Sequence, residues 1–329
     1  MGSRATGVNR RVAMRALHWD GQSLGLTESY PTPKTNGRTA LVKVHLAGIC
    51  ATDLQIFKGY MGFRGVPGHE FVGSVGEGPS RWVSKRVVSE ISFACEQCEY
   101  CNRGLGRHCP SRNVMGIQNA DGAFAEYVAV PVSNLHLVPD ALSDEEAVFT
   151  EPLAAALEIL EQVQINPGDQ ALVMGDGKLG NLCAQALRLT GAAVTVLGKY
   201  EEKLKLIRRA GVRTILLSDW RPRLFDVVVE ATGSDSALQV AIGAVRPRGT
   251  LVMKSTVAGE HSVSLAPLVI NEITIVGSRC GSFPDALTAL TDKSVSVTPL
   301  IEKIYSLRDG VEAVGRAAQP GTRKILLQP

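Results

Sequence analysis

The sequence contains few aromatic residues and no long apolar run. Phe, Trp and Tyr make up 5% of its 329 residues, and no basic-aromatic interleaving is present. No stretch reaches the roughly 20 apolar residues that a membrane span requires. The formal net charge of +3 is too small to indicate nucleic acid or an anionic membrane. We therefore expect no membrane or nucleic-acid partner.

The chain also has no signal-like apolar segment, which bears on the interpretation of its cysteines. Four of the seven lie within fifteen residues, at Cys95, Cys98, Cys101 and Cys109. C-x2-C spacing lets one tight loop supply several thiolates to a tetrahedral zinc ion. The alternative, a pair of disulfides, is typical of small secreted chains with little core. The spacing therefore favours a closed structural zinc site in loop 95–109.

Two further features favour a cytoplasmic protein. The remaining cysteines, Cys50, Cys183 and Cys280, form no pairing pattern, which suits a reducing compartment. Residues 1–13 carry three arginines and no acid, as a transit peptide can, but the segment is short and not visibly amphipathic. We expect a disordered extension there, with the first domain beginning at Met14.

The pattern of secondary structure changes after Asp144. Before it, short strands alternate with Gly/Pro turns, which predicts a β-rich, partly open barrel. A helical stretch, EEAVFTEPLAAALEILEQV, follows. From Gln170, strands alternate with helices of 10–15 residues, which predicts βαβ units and a parallel sheet. This rhythm fades after about Ser296, and the final KILLQP reads as one more strand.

A glycine-rich turn follows the first strand of the second region. In GDGKLG, Gly175, Gly177 and Gly180 surround Lys178 and Leu179. G-x-G-x-x-G between a strand and a helix lets the backbone approach a pyrophosphate at the helix N-terminus. A chance glycine turn is the alternative. The strand AVTVL that follows favours dinucleotide binding.

The second strand of this unit lacks the acid that usually binds the adenosine ribose. Gly198, Lys199 and Tyr200 stand there, and Glu201 and Glu202 open the next helix. Without a carboxylate, a 2′-phosphate is not repelled, and Lys199 could pair with it. This favours NADP over NAD, although a Gly-Lys pair is also ordinary turn chemistry.

Two later strand ends are further candidates for cofactor contact. Ala231, Thr232 and Gly233 end one predicted strand, and Ser278 and Arg279 follow another. Ligands of doubly wound sheets bind outside the carboxyl ends of the strands. The alternative is a set of simple turn residues and a solvated arginine.

Four potential metal ligands are scattered along the chain, at Cys50, His69, Glu70 and Glu151. A catalytic zinc keeps about three protein ligands and leaves a position open. Each residue also has a plain interpretation: a small buried thiol, a turn histidine, a solvated edge acid and an acid at a helix N-terminus. Spacing alone leaves the two interpretations evenly balanced.

Taken in order, the motifs GICATD, GHEFVG, C-x2-C-x2-C-x7-C, EPLAAAL and GDGKLG resemble the zinc-dependent medium-chain dehydrogenase/reductase family. The branch is that of the sorbitol, glucose and threonine dehydrogenases, and the match runs from about residue 14 to the C-terminus. The resemblance implies an α/β fold with a GroES-like β-rich catalytic domain, residues 14–152 and 296–329, and a doubly wound Rossmann domain, residues 153–295. It also implies a homodimer or homotetramer.

The resemblance implies two zinc ions per chain. Cys50 and His69 match the catalytic zinc ligands, and Glu70 and Glu151 match positions that bind or approach that ion and can exchange places. The four clustered cysteines match the structural zinc site. Because Glu151 stands where the alcohol-dehydrogenase branch often has a cysteine, we expect a more oxygen-rich site that suits polar substrates.

The resemblance also implies a mechanism. Zinc lowers the pKa of a bound alcohol, Thr52 relays the proton, and hydride passes to the nicotinamide. Asp53 matches a carboxylate beside the zinc histidine. Gln55 stands where some members have a histidine that passes the proton to solvent, so water or the cofactor ribose would complete the relay. The expected substrate is an alcohol or polyol, or the matching carbonyl compound.

Two other functions keep the same fold or part of it. One is a catalytically silent or redox-sensing NAD(P)-binding protein. The other is an inert structural zinc protein, which would leave the glycine turn unexplained. Zinc-free quinone-reductase relatives show that the fold survives loss of the catalytic metal. The complete set of Cys50, His69, Glu70 and Glu151 favours the enzyme.

Overall fold

A computed structural model describes residues 13–256 and 262–329. The extension predicted for residues 1–13 lies outside the described residues, apart from Ala13, which begins the first strand. Within the described ranges, no helix has both the length and the apolar character that crossing a membrane requires.

The regular elements are numbered in chain order. The strands are β1 (Ala13–Trp19), β2 (Leu24–Pro31), β3 (Thr39–Gly48), β4 (Glu70–Glu77), β5 (Arg86–Ser89), β6 (Ser92–Phe93), β7 (Asn113–Met115), β8 (Asn119–Ala120), β9 (Tyr127–Pro131), β10 (Leu135–Leu137), β11 (Gln170–Met174), β12 (Ala193–Gly198), β13 (Arg213–Leu216), β14 (Phe225–Glu230), β15 (Val245–Met253), β16 (Thr274–Gly277), β17 (Ile301–Ser306) and β18 (Lys324–Gln328). The α-helices are α1 (Ala51–Ile56), α2 (Glu99–Asn102), α3 (Asp144–Ala147), α4 (Thr150–Gln162), α5 (Lys178–Arg188), α6 (Glu201–Arg209), α7 (Asp235–Ala244), α8 (Ala266–Ile270), α9 (Phe283–Thr291) and α10 (Gly310–Ala317).

A seven-stranded sheet organises the β-rich part of the chain. Its order is β10-β5-β4-β3-β18-β17, and β9 also pairs with β3. β3 alternates as its sequence predicts, because Val42 and Val44 are buried whereas Lys43 between them is exposed. The C-terminal strands β17 and β18 lie in this same sheet, with β18 antiparallel to β3.

A second sheet contains six strands in the order β13-β12-β11-β14-β15-β16, all parallel. Numbered within this region, that order is 3-2-1-4-5-6, the doubly wound arrangement of dinucleotide-binding folds. The strand order reverses between β11 and β14, so a crevice opens at their carboxyl ends. The prediction of an α/β fold with a Rossmann-type sheet is confirmed.

Helix α4 joins the two regions. Its buried side chains, including Leu153 and Ile159, belong to a core that also contains Leu46 of β3 and Val173 of β11. The single predicted helical stretch is two helices, α3 and α4, and this corrects the prediction. Pro152 lacks a backbone N–H and is tolerated only in the first turn of a helix, so a new helix has to begin just before it.

Candidate catalytic and cofactor site

Cys50 and Asp53 form a buried corner at the start of α1. The Asp53 carboxylate accepts a hydrogen bond from the Cys50 backbone N–H, with Oδ2 2.8 Å from the nitrogen. Its other oxygen lies 3.2 Å from Nδ1 of His69, at the amino end of β4. Asp53 is 0% and His69 3% exposed. One carboxylate therefore orients both neighbours and leaves Nε2 of His69 and the Cys50 thiol for a ligand.

The side chains of Cys50, His69 and Glu70 converge on one point. One potential ligand atom from each lies within 4.8 Å of the others. The Sγ of Cys50 is also 3.8 Å from Oγ1 of Thr52. A thiolate, an imidazole and a carboxylate gathered in a mostly buried corner are a donor set that suits zinc, so the residues present fit that ion.

The charges in this corner favour a thiolate beside a protonated histidine. Burial alone would raise the pKa of Cys50, but the hydrogen bond and charge of His69 outweigh it and lower the pKa to about 6. Burial likewise opposes the charged form of His69, yet Asp53 holds the pKa of that ring well above its usual range. The thiolate is the form that binds metal, whereas an imidazole binds metal only when neutral, so a metal ion bound here would displace the proton of His69 and take over its positive charge.

Glu70 is neutralised by a buried lysine. Its carboxylate forms an ion pair with Nζ of Lys324 on β18, and each side chain is 1% exposed. The pair fits because Gly48 lies opposite, where a Cβ would clash with both groups. Burial lowers the pKa of Lys324 to about 8. The register of β18 against β3 brings this lysine to the site from the far end of the chain.

Glu151, the fourth predicted ligand, opens α4 and lies beside the three-residue set without joining it. Within the described residues, its carboxylate is not among the groups that meet within 4.8 Å. Burial raises its pKa to about 7, and the charges of His69 and Cys50 also act on it. The two predicted carboxylates therefore differ: Glu70 is paired with a cation, whereas the pKa of Glu151 lies close to neutral pH.

The four clustered cysteines form a second, separate group. The Sγ separations are 3.5 Å for Cys98 and Cys101, 3.8 Å for Cys98 and Cys109, and 3.9 Å for Cys95 and Cys101. Four sulfurs at about 2.3 Å from one zinc ion would lie about 3.8 Å apart. All four are free thiols. Their spacing therefore fits one tetrahedral zinc and is too long for disulfide bonds.

The glycine turn after β11 has the geometry that its motif predicts. Gly175 has a φ of 121°, which favours glycine, and a Cβ there would come within 2.8 Å of the Ala231 carbonyl oxygen. At Gly180, a Cβ would clash with the Gly175 carbonyl, so helix and turn are in close contact. Gly177 faces open space. An open backbone at the N-terminus of α5 is suited to a pyrophosphate.

Lys178 and Leu179, the two residues between Gly177 and Gly180, lie in different surroundings. Leu179 packs against the core. Burial lowers the pKa of Lys178, and the charges of Cys50 and Asp53 oppose this shift. The glycine turn therefore lies within electrostatic range of the candidate metal site, across the boundary between the two sheets.

The carboxyl end of β14 lies beside the glycine turn. Here the buried carboxylate of Glu230 accepts hydrogen bonds from Thr232 N at 2.6 Å, Thr232 Oγ1 at 2.5 Å and Gly233 N at 3.0 Å. Ala231 approaches Gly175 directly. The predicted contact residues thus form a rigid turn at the crevice between β11 and β14.

The end of β16 is held by a buried lysine. Lys254 Nζ donates to the Ala155 carbonyl of α4 at 2.5 Å, to Ser278 Oγ at 3.1 Å and to the Arg279 carbonyl at 3.1 Å. Burial lowers the pKa of Lys254. All three ammonium hydrogens have acceptors, so this lysine ties two strand ends to the helix that Glu151 opens.

Arg107 connects this strand end to the four-cysteine loop. Its guanidinium donates to Glu158 of α4 at 2.9 Å and to the Cys280 carbonyl at 2.6 Å. In return, Arg279 donates to the Arg107 carbonyl at 2.6 Å. The side chains of Ser278 and Arg279 are thus engaged by other protein groups, and the loop is fastened to the six-stranded parallel sheet.

No motif named above specifies four of these charged residues: Arg107, Glu230, Lys254 and Lys324. Three have a detectable signal, a charge at one end of an apolar strand, as in VVVE, LVMK and KILL. Arg107 has no such signal, because its partners lie far away in sequence. Lys199, on which the NADP prediction depends, is exposed just after β12.

A doubly wound sheet with an open glycine turn, next to a buried Cys-His-Glu corner and a four-cysteine loop, defines a class of protein: a zinc-dependent oxidoreductase that uses a dinucleotide. Comparisons with known proteins agree. Residues 36–140 match the alcohol dehydrogenase GroES-like domain, and residues 179–295 match the zinc-binding dehydrogenase family.

Individual proteins resemble the chain over nearly its whole length. D-arabinitol dehydrogenase 1 of Uromyces fabae is 31% identical over 314 residues, which cover 88% of this chain and 89% of that protein. The structure of 2R,3R-butanediol dehydrogenase from Bacillus subtilis has a TM-score of 0.85 at 26% identity and covers 96% of this chain and 100% of its own. A dehydrogenase from Escherichia coli CFT073, described as a short-chain alcohol dehydrogenase and complexed with NADH, has a TM-score of 0.87 at 25% identity, covering 96% and 99%.

The chain therefore belongs to the zinc-type medium-chain dehydrogenase/reductase family, as its motifs predict. It is a zinc-dependent dehydrogenase with a nicotinamide cofactor.

Proposed function

We propose that this chain transfers hydride between a polyhydroxy alcohol, or the corresponding carbonyl compound, and NAD(P). The observation that carries the proposal is the buried Cys50–His69–Glu70 corner within electrostatic range of the glycine turn. The names of two relatives support the substrate class, since D-arabinitol and 2R,3R-butanediol each carry more than one hydroxyl group. A catalytically silent protein on the same fold is not favoured by these dehydrogenase relatives.

We propose two zinc ions per chain. Cys50 and His69, with Glu70 or Glu151, would hold the catalytic ion, and the four clustered cysteines the structural one. A zinc ion in the first set would supply Lewis-acid polarisation of the substrate oxygen. The chain's own residues do the rest: Asp53 lies 3.2 Å from Nδ1 of His69 and orients the ring, and Thr52 relays the substrate proton, passing on its own hydroxyl proton as it accepts that of the substrate. Gln55 cannot titrate, so the proton passes to solvent through a water molecule or through the cofactor ribose.

For the cofactor, we propose that the pyrophosphate lies against Gly175, Gly177 and Gly180 at the N-terminus of α5. The nicotinamide would approach the strand ends at 231–233 and 278–279. The NADP preference predicted from Lys199 stays a prediction that binding has to test. We also retain the proposed division into a catalytic domain, 14–152 and 296–329, and a Rossmann domain, 153–295.

A homodimer is proposed through the edge strand β16. In the described part of the chain, β16 has a neighbouring strand only on the β15 side. Apolar side chains are exposed nearby, with Val269 and Ile270 each 78% and Ile275 48% exposed. An unpaired edge beside an apolar surface favours pairing with a second copy. Light scattering of wild type and Ile270→Lys would test it, with a monomer expected for the variant and a monomeric wild type as the contradicting result.

One experiment tests the activity and the metal content together. Purified protein would be screened against alcohols, diols and polyols with NAD⁺ and NADP⁺ by absorbance of the reduced cofactor, with zinc measured in the same sample. Cys50→Ala is compared with Cys183→Ala, a buried thiol in the core of α5. We expect turnover and two zinc ions for wild type and Cys183→Ala, and one zinc ion without turnover for Cys50→Ala. Full turnover by Cys50→Ala would refute the proposed site.

A further inference from the structure

The turn after β12 is bound by a carboxylate from the turn that follows β11. Asp176, the second residue of GDGKLG, directs its side chain across to this turn. Its Oδ2 accepts hydrogen bonds from the backbone N–H groups of Lys199 and Tyr200, each at 2.6 Å. Within the described ranges, no hydrogen bond reaches Oδ1, and the side chain is only partly buried. An acid thus lies at the end of the second parallel strand, although the sequence has none there.

Gly198 makes room for this acid. A Cβ at position 198 would come within 2.7 Å of the Asp176 Cβ and 2.8 Å of its Oδ2. Any larger residue at the end of β12, including the usual Asp or Glu, would therefore collide with Asp176. The absence of an acid at position 198 and the presence of Asp176 therefore belong together. The carboxylate at the end of β12 is supplied by the turn between β11 and α5.

The position of this carboxylate matters for the adenosine ribose. In dinucleotide-binding sheets, an acid at the end of the second strand accepts hydrogen bonds from the ribose 2′-hydroxyl. A 2′-phosphate would need positive charge and free donors at the same place. Asp176 already occupies two backbone donors, at Lys199 and Tyr200, and its negative charge repels a phosphate.

The charges around Asp176 are of both signs. Lys203 is half-buried; burial lowers its pKa, and the charge of Asp176 opposes this shift. Lys199 is exposed, and the next two residues, Glu201 and Glu202, are exposed acids. A small pocket is lined by Asp176 together with Lys178, Lys203 and Arg323, so the surroundings of Asp176 are mixed in charge.

We propose that Asp176 is a specificity-determining residue that selects NAD(H) over NADP(H). The inference rests on the proposed function, because it assumes that a nicotinamide dinucleotide binds at the glycine turn. It assigns the opposite preference to the one that the bare sequence predicts. The difference lies in which residue supplies the acid.

The test measures binding of NADH and NADPH by fluorescence titration, without substrate. Asp176→Asn keeps an oxygen that can accept from the two N–H groups but removes the charge. Asp169→Asn is the matched control, since that carboxylate also accepts a backbone N–H, from Asn166, in the turn that precedes β11. Lys199→Ala tests the competing explanation. Thermal unfolding of each variant reports whether the fold is retained.

We expect wild type to bind NADH at least about tenfold more tightly than NADPH, because like charges brought together are strongly unfavourable. Asp176→Asn should shift the ratio of dissociation constants toward NADPH by about tenfold or more, whereas Asp169→Asn and Lys199→Ala leave it unchanged. A wild-type preference for NADPH that is lost in Lys199→Ala would overturn the inference and leave the proposed function intact. Failure of wild type to bind either dinucleotide would overturn both.

Discussion

The two candidate metal centres of this protein are built in opposite ways. The four-cysteine centre takes its ligands from fifteen consecutive residues, and three of the four thiols are partly exposed. The Cys50–His69–Glu70 centre is assembled by α1 and β4, with its charges balanced by Asp53 and by Lys324 from β18. The first needs a loop, whereas the second needs a folded sheet.

The four-cysteine centre is suited to holding a metal ion, whereas the buried centre is suited to preparing a metal ion for a reaction. Four thiolates satisfy a zinc ion without help and leave no position open. In the buried centre, each ligand is oriented or neutralised by another residue, as metal sites that react require. The predictions below test this division of labour in order of decreasing effect.

The largest effect is expected at His69. His69→Gln should lower kcat/KM by at least about 1,000-fold, since loss of metal polarisation removes several kcal/mol of transition-state stabilisation. Bound zinc should fall from two ions to one. His108→Gln, which changes an exposed histidine next to Cys109, should keep both ions and full turnover. Loss of both zinc ions in His69→Gln would show that the two centres depend on each other.

The buried ion pair comes next. Lys324→Met should lower the free energy of unfolding by about 3–5 kcal/mol, because it leaves the Glu70 charge buried and unpaired. Urea denaturation measures this change, with Lys303→Met on the exposed side of β17 as the control, expected within about 0.5 kcal/mol of wild type. The double variant Glu70→Gln/Lys324→Met should recover much of the loss. An unchanged unfolding midpoint for Lys324→Met would contradict the assignment.

Removing a ligand from the four-cysteine centre should affect stability more than chemistry. Cys98→Ser is expected to lose one zinc ion and to unfold at a lower temperature, while kcat falls less than about tenfold, because a closed structural site does not touch the reaction. Zinc analysis, calorimetry and steady-state kinetics on one preparation measure the three quantities. Cys280→Ser should keep both ions. A loss of turnover as large as that of His69→Gln would end the distinction between the centres.

The smallest effect concerns the link between the four-cysteine loop and the cofactor-binding sheet. Arg107→Ala should destabilise the protein by about 1–2 kcal/mol, since it removes charge-assisted hydrogen bonds to Glu158 and to the Cys280 carbonyl. Arg103→Ala removes an exposed pair with Glu99 and should cost less than about 0.5 kcal/mol. Equal stabilities of the two variants, measured by urea unfolding, would argue against a fastened loop.

Much of the architecture could be predicted because its determinants are local. The apolar strands and their intervening helices indicated the parallel sheet, and the glycine turn has the close contacts that its motif requires. Helix α4 was less predictable, since the effect of Pro152 on the start of the helix depends on where the first turn lies. The grouping of the four cysteine side chains was predictable from their spacing alone.

The buried centre was only partly predictable. Its candidate ligands could be named, but Lys324 and Asp176 act on residues that are far away in sequence or on a neighbouring turn. Lys324 reaches Glu70 through the pairing of β18 with β3, and no periodicity encodes that register. The motif G-x-G-x-x-G sets no requirement at the position of Asp176, although the carboxylate of this residue caps a different turn.

By itself, the sequence determined the elements whose information is contiguous: the four-thiol loop, the glycine turn and the alternation of strands and helices. These depend on spacing, backbone freedom and hydrophobic periodicity, which act over a few residues. Only the tertiary structure decided which charges meet. Glu70 with Lys324, and Asp176 with the turn after β12, are brought together by strand pairing and close packing, because electrostatic partners are selected by distance in space and not by distance along the chain.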